Sequence, residues 1–253
     1  MNYHSLENWH NYFAKNSATP AEIPWHLTND LSLSEKLAIA KSIATFQLGE
    51  HSEGRHLLAF AADYAQANDN PYIISITRYF IAEEQHHAAL LKRFMVLHGV
   101  KLMQKNWTDS VFRRLRKHLR FEVSVTVLIT AEMLSLVFYD ALKKATNSLL
   151  LKKICEKILR DEVAHVRYEA ELIEHIRSQK SSFTQFLTKS LHGFLFFGTI
   201  LVVYFAHRQV IMQGGYGLKR FWSSSWEMFD KHFSAKGLIS AVAENNAGQN
   251  FLL

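Results

Sequence analysis

The chain has 253 residues, 48% of them hydrophobic, with 3 prolines, 10 glycines and a formal charge of +6. Such a chain can bury a substantial core, best as one large domain, and its single cysteine, Cys155, excludes an internal disulfide framework and suits a reducing, cytoplasmic compartment. The positive charge suits an anionic partner, an acidic carrier or electron-donor protein or a membrane surface before a nucleic acid, although solvated helix faces are the simpler account.

Taken in order, residues 1–31 read as a short amphipathic helix with Leu6, Trp9, His10 and Phe13 on one side, then a loop through Pro20 and Pro24. This segment is expected to lie across the domain as a flap. The first twenty residues lack a basic stretch followed by an apolar core, so no secretory signal is expected. Ser32 and Glu35 form the pattern of a capping box, in which hydroxyl and carboxylate satisfy free amides at a helix start. The helix that follows is expected to run through Ile39, Ile43, Phe46, Glu50, Glu53, Leu57, Phe60 and Tyr64 and to stop near Asn68-Asp69-Asn70-Pro71.

A second helix is expected over 72–98 with Gly99 as its stop, and a third over 108–145 with Thr108 as its cap. A turn at 146–148 leads into a fourth over 149–178. All of these runs repeat apolar residues every three or four positions, which predicts a nearly all-α protein. Four long helices in two antiparallel pairs make the domain 32–180 a bundle, and 181–253 a helical extension packed on it.

Two of the helices carry Glu-x-x-His, as Glu84 with His87 and as Glu162 with His165. Residues three apart share a helix face, so each pair can offer an oxygen and a nitrogen to one metal ion. Both motifs interrupt apolar stripes: Ile73, Ile76, Phe80, Leu91 and Phe94 flank the first, and Leu151, Ile154, Ile158, Leu172 and Ile176 the second. A carboxylate in such a stripe is costly unless counter-charged. The third helix places Glu132 on its own inward stripe of Phe121, Val125, Leu128, Ser135 and Tyr139.

The register agrees: Glu50 precedes Glu84 by 34 residues and Glu132 precedes Glu162 by 30, so each helical hairpin levels a lone Glu with a Glu-x-x-His. A single Glu-x-x-His is more often an exposed ion pair; two in phase, with glutamates on the right helices, favour a metal site. Four carboxylates balance two divalent ions, and hard oxygens with imidazole suit iron or manganese rather than structural zinc. Glu53 stands as an alternative to Glu50, as an outer acid or as a surface residue. Glu169 reads as a buried polar partner or channel residue rather than a ligand, and Tyr139 as a core tyrosine with a satisfied hydroxyl in preference to a redox phenol.

Together, Glu84-Gln85-His86-His87, Glu162-Val163-Ala164-His165, Glu50 and Glu132 resemble the ferritin-like di-iron carboxylate superfamily over roughly residues 33–180. Gly49-Glu50-His51-Ser52 is similar to the rubrerythrin-type first helix, and Ala82-Glu83-Glu84 to rubrerythrins and acyl-carrier-protein desaturases. The resemblance implies two iron ions, or Mn/Fe, held by Glu50, Glu84, His87, Glu132, Glu162 and His165. It pairs Asp161 with His87 and Glu83 with His165 as the acids that orient the imidazoles. It implies an oxidase or oxygenase that uses O₂ on a small organic or acyl substrate.

Within that superfamily, p-aminobenzoate N-oxygenases carry a further His where this chain has Ile158, and no Cys-x-x-Cys pair is present for a rubredoxin iron. Rubrerythrin-like or ferritin-like iron oxidation is the runner-up. A metal-free interaction or membrane-surface protein is the third reading; it would use the basic run 113–120, otherwise a dock for an acidic electron donor or carrier, and the apolar segment 191–206. That segment is expected to be a fifth helix buried against the bundle, in preference to one at a membrane or in a homodimer interface, and to end at 214–217. An amphipathic helix through Phe221, Trp222, Trp226 and Phe229 and a polar tail from Glu244 are expected after it.

Overall fold

A computed structural model describes residues 4–19, 22–27, 31–51, 54–105 and 121–233. The described elements are helical throughout: α1 (Leu6–Ala18), α2 (Leu33–Glu50), α3 (Arg55–Ala67), α4 (Tyr72–Leu97), α5 (Phe121–Ala145), α6 (Leu149–Ser178), α7 (Ser182–Ala206), α8 (Arg208–Gln213) and α9 (Leu218–Phe233). The bundle is built from α2 and α3 as one broken limb, with α4, α5 and α6. α5 packs most extensively on α6, and α4 on α2, then on α1 and α3. The short turns 68–71 and 146–148 make each hairpin antiparallel.

Local chemistry sets the limits. Ser32 Oγ accepts from Glu35 N (3.3 Å) while Glu35 Oε2 accepts from Ser32 N (3.3 Å), which closes the capping box that starts α2. The other Glu35 oxygen accepts from Asn147 N (2.5 Å) in the α5–α6 turn, so the cap also ties the two hairpins together at that end. Ser148 Oγ accepts from Leu151 N (3.0 Å) and starts α6. Gly99, at φ 60°, follows the end of α4.

The first long helix differs from the continuous one expected. α2 ends at Glu50, and α3 starts after Gly54, whose φ of 64° lies in the left-handed region. A Cβ at Gly54 would stand 2.5 Å from Ile81 Cδ1, so close approach to α4 also requires glycine there. The break falls immediately after Glu50. Glu53, the basic run 113–120, the Thr108 cap and the tail from Glu244 lie outside the described residues.

The segment 191–206 also differs from the buried helix expected. It belongs to a longer helix, α7, of which His192, Phe196, Thr199, Ile200 and Tyr204 are buried while Phe186, Leu191, Phe194, Phe197 and Phe205 are exposed. A run that is apolar on every side can press only one of its sides against the bundle. His207 is buried and pairs with Ser42 Oγ (3.0 Å), whereas Arg208 is exposed and opens the separate short helix α8. A Cβ at Gly214 would meet the backbone oxygen of Ala141 at 2.2 Å, so the end of α8 lies directly on α5. The inner sides of α7 and α9 meet through rings, with His192 against Phe229 and Phe233, and Phe196 against Trp226.

The candidate metal centre

Four helices each bring an inward carboxylate to the same level, and all six residues singled out above are at most 9% exposed: Glu50 (α2), Glu84 and His87 (α4), Glu132 (α5), Glu162 and His165 (α6). They form two overlapping groups. Glu50, Glu84, His87 and Glu162 offer ligand atoms within 4.8 Å of one another, and so do Glu84, Glu132, Glu162 and His165. Glu84 and Glu162 belong to both. That is the arrangement two metal ions need if two carboxylates bridge them.

The unpaired atoms face the middle of this cluster. His87 Nδ1 stands 3.5 Å from Glu84 Oε1 and 3.4 Å from Glu162 Oε1; His165 Nδ1 stands 3.3 Å from Glu84 Oε1 and 3.5 Å from Glu162 Oε2. Those two nitrogens, Glu84 Oε1 and both oxygens of Glu162 are buried without a hydrogen-bond partner. Leaving so many polar atoms unsatisfied in one place is costly, and bound cations would satisfy them together. The residues present therefore fit a pair of metal ions.

Charge leads to the same conclusion. Burial pushes Glu50 well above the ordinary carboxylate range, helped by the negative charges of Glu84 and Glu162, and burial with Glu162 and Glu84 does the same to Glu132. Burial also opposes ionisation of Glu84 and charging of the imidazoles. There polar pairing with oppositely charged neighbours wins: His165 and His87 hold Glu84 low, Asp161 and Glu162 raise His87, and Glu162 and Glu83 raise His165, both well above the usual histidine value. Without cations, protons must serve as the counter-charge.

The outer nitrogens are held by crossed acids. His87 Nε2 donates to Asp161 Oδ2 (2.8 Å), and His165 Nε2 donates to Glu83 Oε2 (2.8 Å). In the neutral ring that a bound cation would require, this leaves each Nδ1 lone pair directed at the cluster and makes each ring a better ligand. His86, which stands three residues after Glu83 and so makes a second Glu-x-x-His with it, is exposed. Glu169 is buried two turns beyond Glu162, and Tyr139 donates to Glu50 Oε1 (2.6 Å).

Two contributors escaped the sequence reading. Asn16 of α1 donates to Glu83 Oε1 (2.6 Å) and Asp161 Oδ1 (3.2 Å), so one amide bridges both orienting acids. Buried Lys157 pairs with Asp161 from one turn before it on α6. Asn16 continues the stripe of buried Trp9 and Phe13, and Lys157 stands at i−4 from Asp161; those spacings are the signals that could have found them. Among the described residues only the His87 side has a cation on its acid, which makes the two halves unequal there. α1 is also fastened by Trp9 Nε1 to Glu171 Oε2 (2.8 Å) and by His10 Nδ1 to Ser75 Oγ (2.8 Å).

A cavity of about 150 Å³ adjoins the cluster. Glu50, Glu84 and Glu132 form one wall; Phe46, Val127 and Leu128, with Val202 and Val203 of α7, supply much of the apolar remainder.

No family model matches the chain, and no curated protein matches it. Solved structures do. A variant of an R2-like ligand-binding oxidase with an aerobically reconstituted Mn/Fe cofactor superimposes with a TM-score of 0.67 at 17% identity, over 90% of this chain and 91% of that one. Another variant of an R2-like ligand-binding oxidase, also with an aerobically reconstituted Mn/Fe cofactor, gives 0.64 at 15% identity over the same shares. The chain thus has the all-α, ferritin-like fold of the R2-like ligand-binding oxidases, with buried carboxylate and histidine groups positioned for two metals.

Proposed function

We propose that the protein is an O₂-dependent oxidase that binds two metal ions, Fe/Fe or Mn/Fe, and acts on a small apolar organic substrate. The observation that carries this reading is the cavity, which joins three of the cluster's carboxylates to an apolar chamber. The neighbours' Mn/Fe cofactors support the heterometallic option. When bound, such a metal pair supplies the electrons for reducing O₂.

Each residue has its own part. Glu50, Glu84, His87 and Glu162 would hold one ion, and Glu84, Glu132, Glu162 and His165 the other. Asp161 and Glu83 keep the imidazoles in the tautomer that binds through Nδ1. The Tyr139 hydroxyl fixes one oxygen of Glu50, directing the other towards the cluster. Phe46, Val127 and Leu128 keep bulk water from the chamber and would place an apolar group beside the carboxylates. A protein that only oxidised iron would have no use for such a chamber.

The test is metal content after growth in iron- and manganese-rich medium, followed by O₂ uptake with candidate lipophilic, amine and aromatic substrates. The reading predicts about two metals per chain and O₂ consumption coupled to an organic product. Uptake matched only by ferrous iron oxidised would replace it with the ferroxidase reading.

A further inference from the structure

The outward side of α7 has no counterpart elsewhere among the described residues. Phe183, Phe186, Leu191, Phe194 and Phe205 are 75, 70, 59, 76 and 63% exposed on this one helix. A contiguous apolar strip of that kind on a soluble surface marks a binding face. The helix is long and apolar enough to cross a membrane, yet its inner stripe, including His192 and Thr199, is buried against neighbouring helices. A helix held along one side in this way can lie in a membrane surface but cannot be surrounded by lipid.

Charge selects the occupant. Between residues 175 and 226 there is no Asp or Glu, while six Lys and Arg occur. Lys180 pairs with Glu122, Lys189 with Glu174 (3.1 Å), and Arg177 lies 3.6 Å from Glu122. Arg208, Lys219 and Arg220 are exposed and make no ion pair among the described residues; they follow the C-terminal end of α7, close in sequence to Phe205 and to the exposed Met212 and Leu218. Half-buried Trp222 and Trp226 lie on the neighbouring α9. A second copy docking patch to patch would bring these cations no acid, because the segment contains none, whereas an anionic lipid surface supplies both apolar depth and negative charge.

We infer that the exposed face of α7, with Arg208, Lys219 and Arg220, seats the protein in the surface of an anionic membrane. The docking does not depend on any metal. If the oxidase reading also holds, Val202 and Val203, which line the cavity from this same helix, bring its wall next to the bilayer, where an apolar substrate would be dissolved.

The test is co-sedimentation of the full chain with phosphatidylcholine vesicles with and without phosphatidylglycerol. Three proteins are compared: wild type, Phe186→Glu/Phe194→Glu, and Arg208→Gln/Lys219→Gln/Arg220→Gln. All the altered side chains are exposed, so helix content and metal content should be retained and are measured in parallel. Wild type should bind the anionic vesicles and release in high salt. Either variant should weaken binding about tenfold or more. Failure of wild type to bind anionic vesicles overturns the inference, as does binding that neither variant weakens. So does a stable dimer that the Phe variant turns into monomer while vesicle binding is absent.

Discussion

α5 and α7 are each twenty-five residues long and each apolar enough to cross a membrane, yet 83% of the most apolar window of α5 is buried and only 22% of that of α7. Composition cannot account for the difference. α5 is enclosed by α6, α3, α7, α8 and α9, while α7 has the bundle on one side only. Burial is thus a property of position in the assembly. A strongly apolar helix in an enclosed position serves as core, and the same kind of helix on the outside becomes a contact surface.

The largest expected effect follows from the one charged residue on the buried face of α5. Glu132→Ala should reduce the metal content from about two per chain towards one, since Glu132 belongs to only one of the two ligand groups; elemental analysis of purified protein reads this directly. Retention of both metals would show that α5 encloses the centre without contributing to it.

Truncating rings contrasts the two helices in stability. Phe138 of α5 is fully buried and stacked on Phe46 with ring centroids 3.6 Å apart, so Phe138→Ala should cost about 3–5 kcal/mol in denaturant unfolding. A loss below about 1 kcal/mol would mean that the core collapses around the missing ring.

The anchor at the end of α7 should show in acid. Burial, with the charge of Lys41 adding to it, lowers His207 to about 4. Its folded-state value lies below the ordinary histidine value of 6.5, so the unfolded chain takes up the proton first as pH falls. This stability is complete above about pH 6.5 and is lost as pH falls towards 4, by about 2 kcal/mol between pH 7 and pH 5. His192, lowered to about 3 by burial and by Arg177, acts in the same direction. Unfolding midpoints at the two pH values, with His207→Gln flattening the difference, check the assignment.

The smallest effect belongs to the outer face of α7. Phe194→Ala should change unfolding free energy by no more than about 0.5 kcal/mol, because the ring is 76% exposed. A large loss would place that ring in a core and remove the contrast with Phe138.

Much of the centre was legible because helical periodicity is local. Glu84 and His87 keep the phase of Ile76, Phe80, Leu91 and Phe94, and Glu162 and His165 that of Ile154, Ile158 and Leu172, so their inward direction could be read without the fold. The inward direction of Asn16 follows from Trp9 and Phe13 in the same way, but its partners could not be read, because they lie 67 and 145 residues away. The break before Gly54 was overlooked since the apolar stripe resumes in phase at Leu57 and Phe60, and a stripe carries no record of φ. For α7, an apolar pattern with no polar side leaves the buried direction undefined.

Residue order by itself determined the helical class, the Ser32 and Ser148 starts and which side chains share a face, since each depends on groups within about one helical turn. Only the tertiary structure decided that Asn16 would bridge Glu83 and Asp161, that a chamber would open between Glu132 and Val202, and that α7 would remain half uncovered. Those outcomes depend on which helices come to lie side by side, and that is set by the packing of the whole chain.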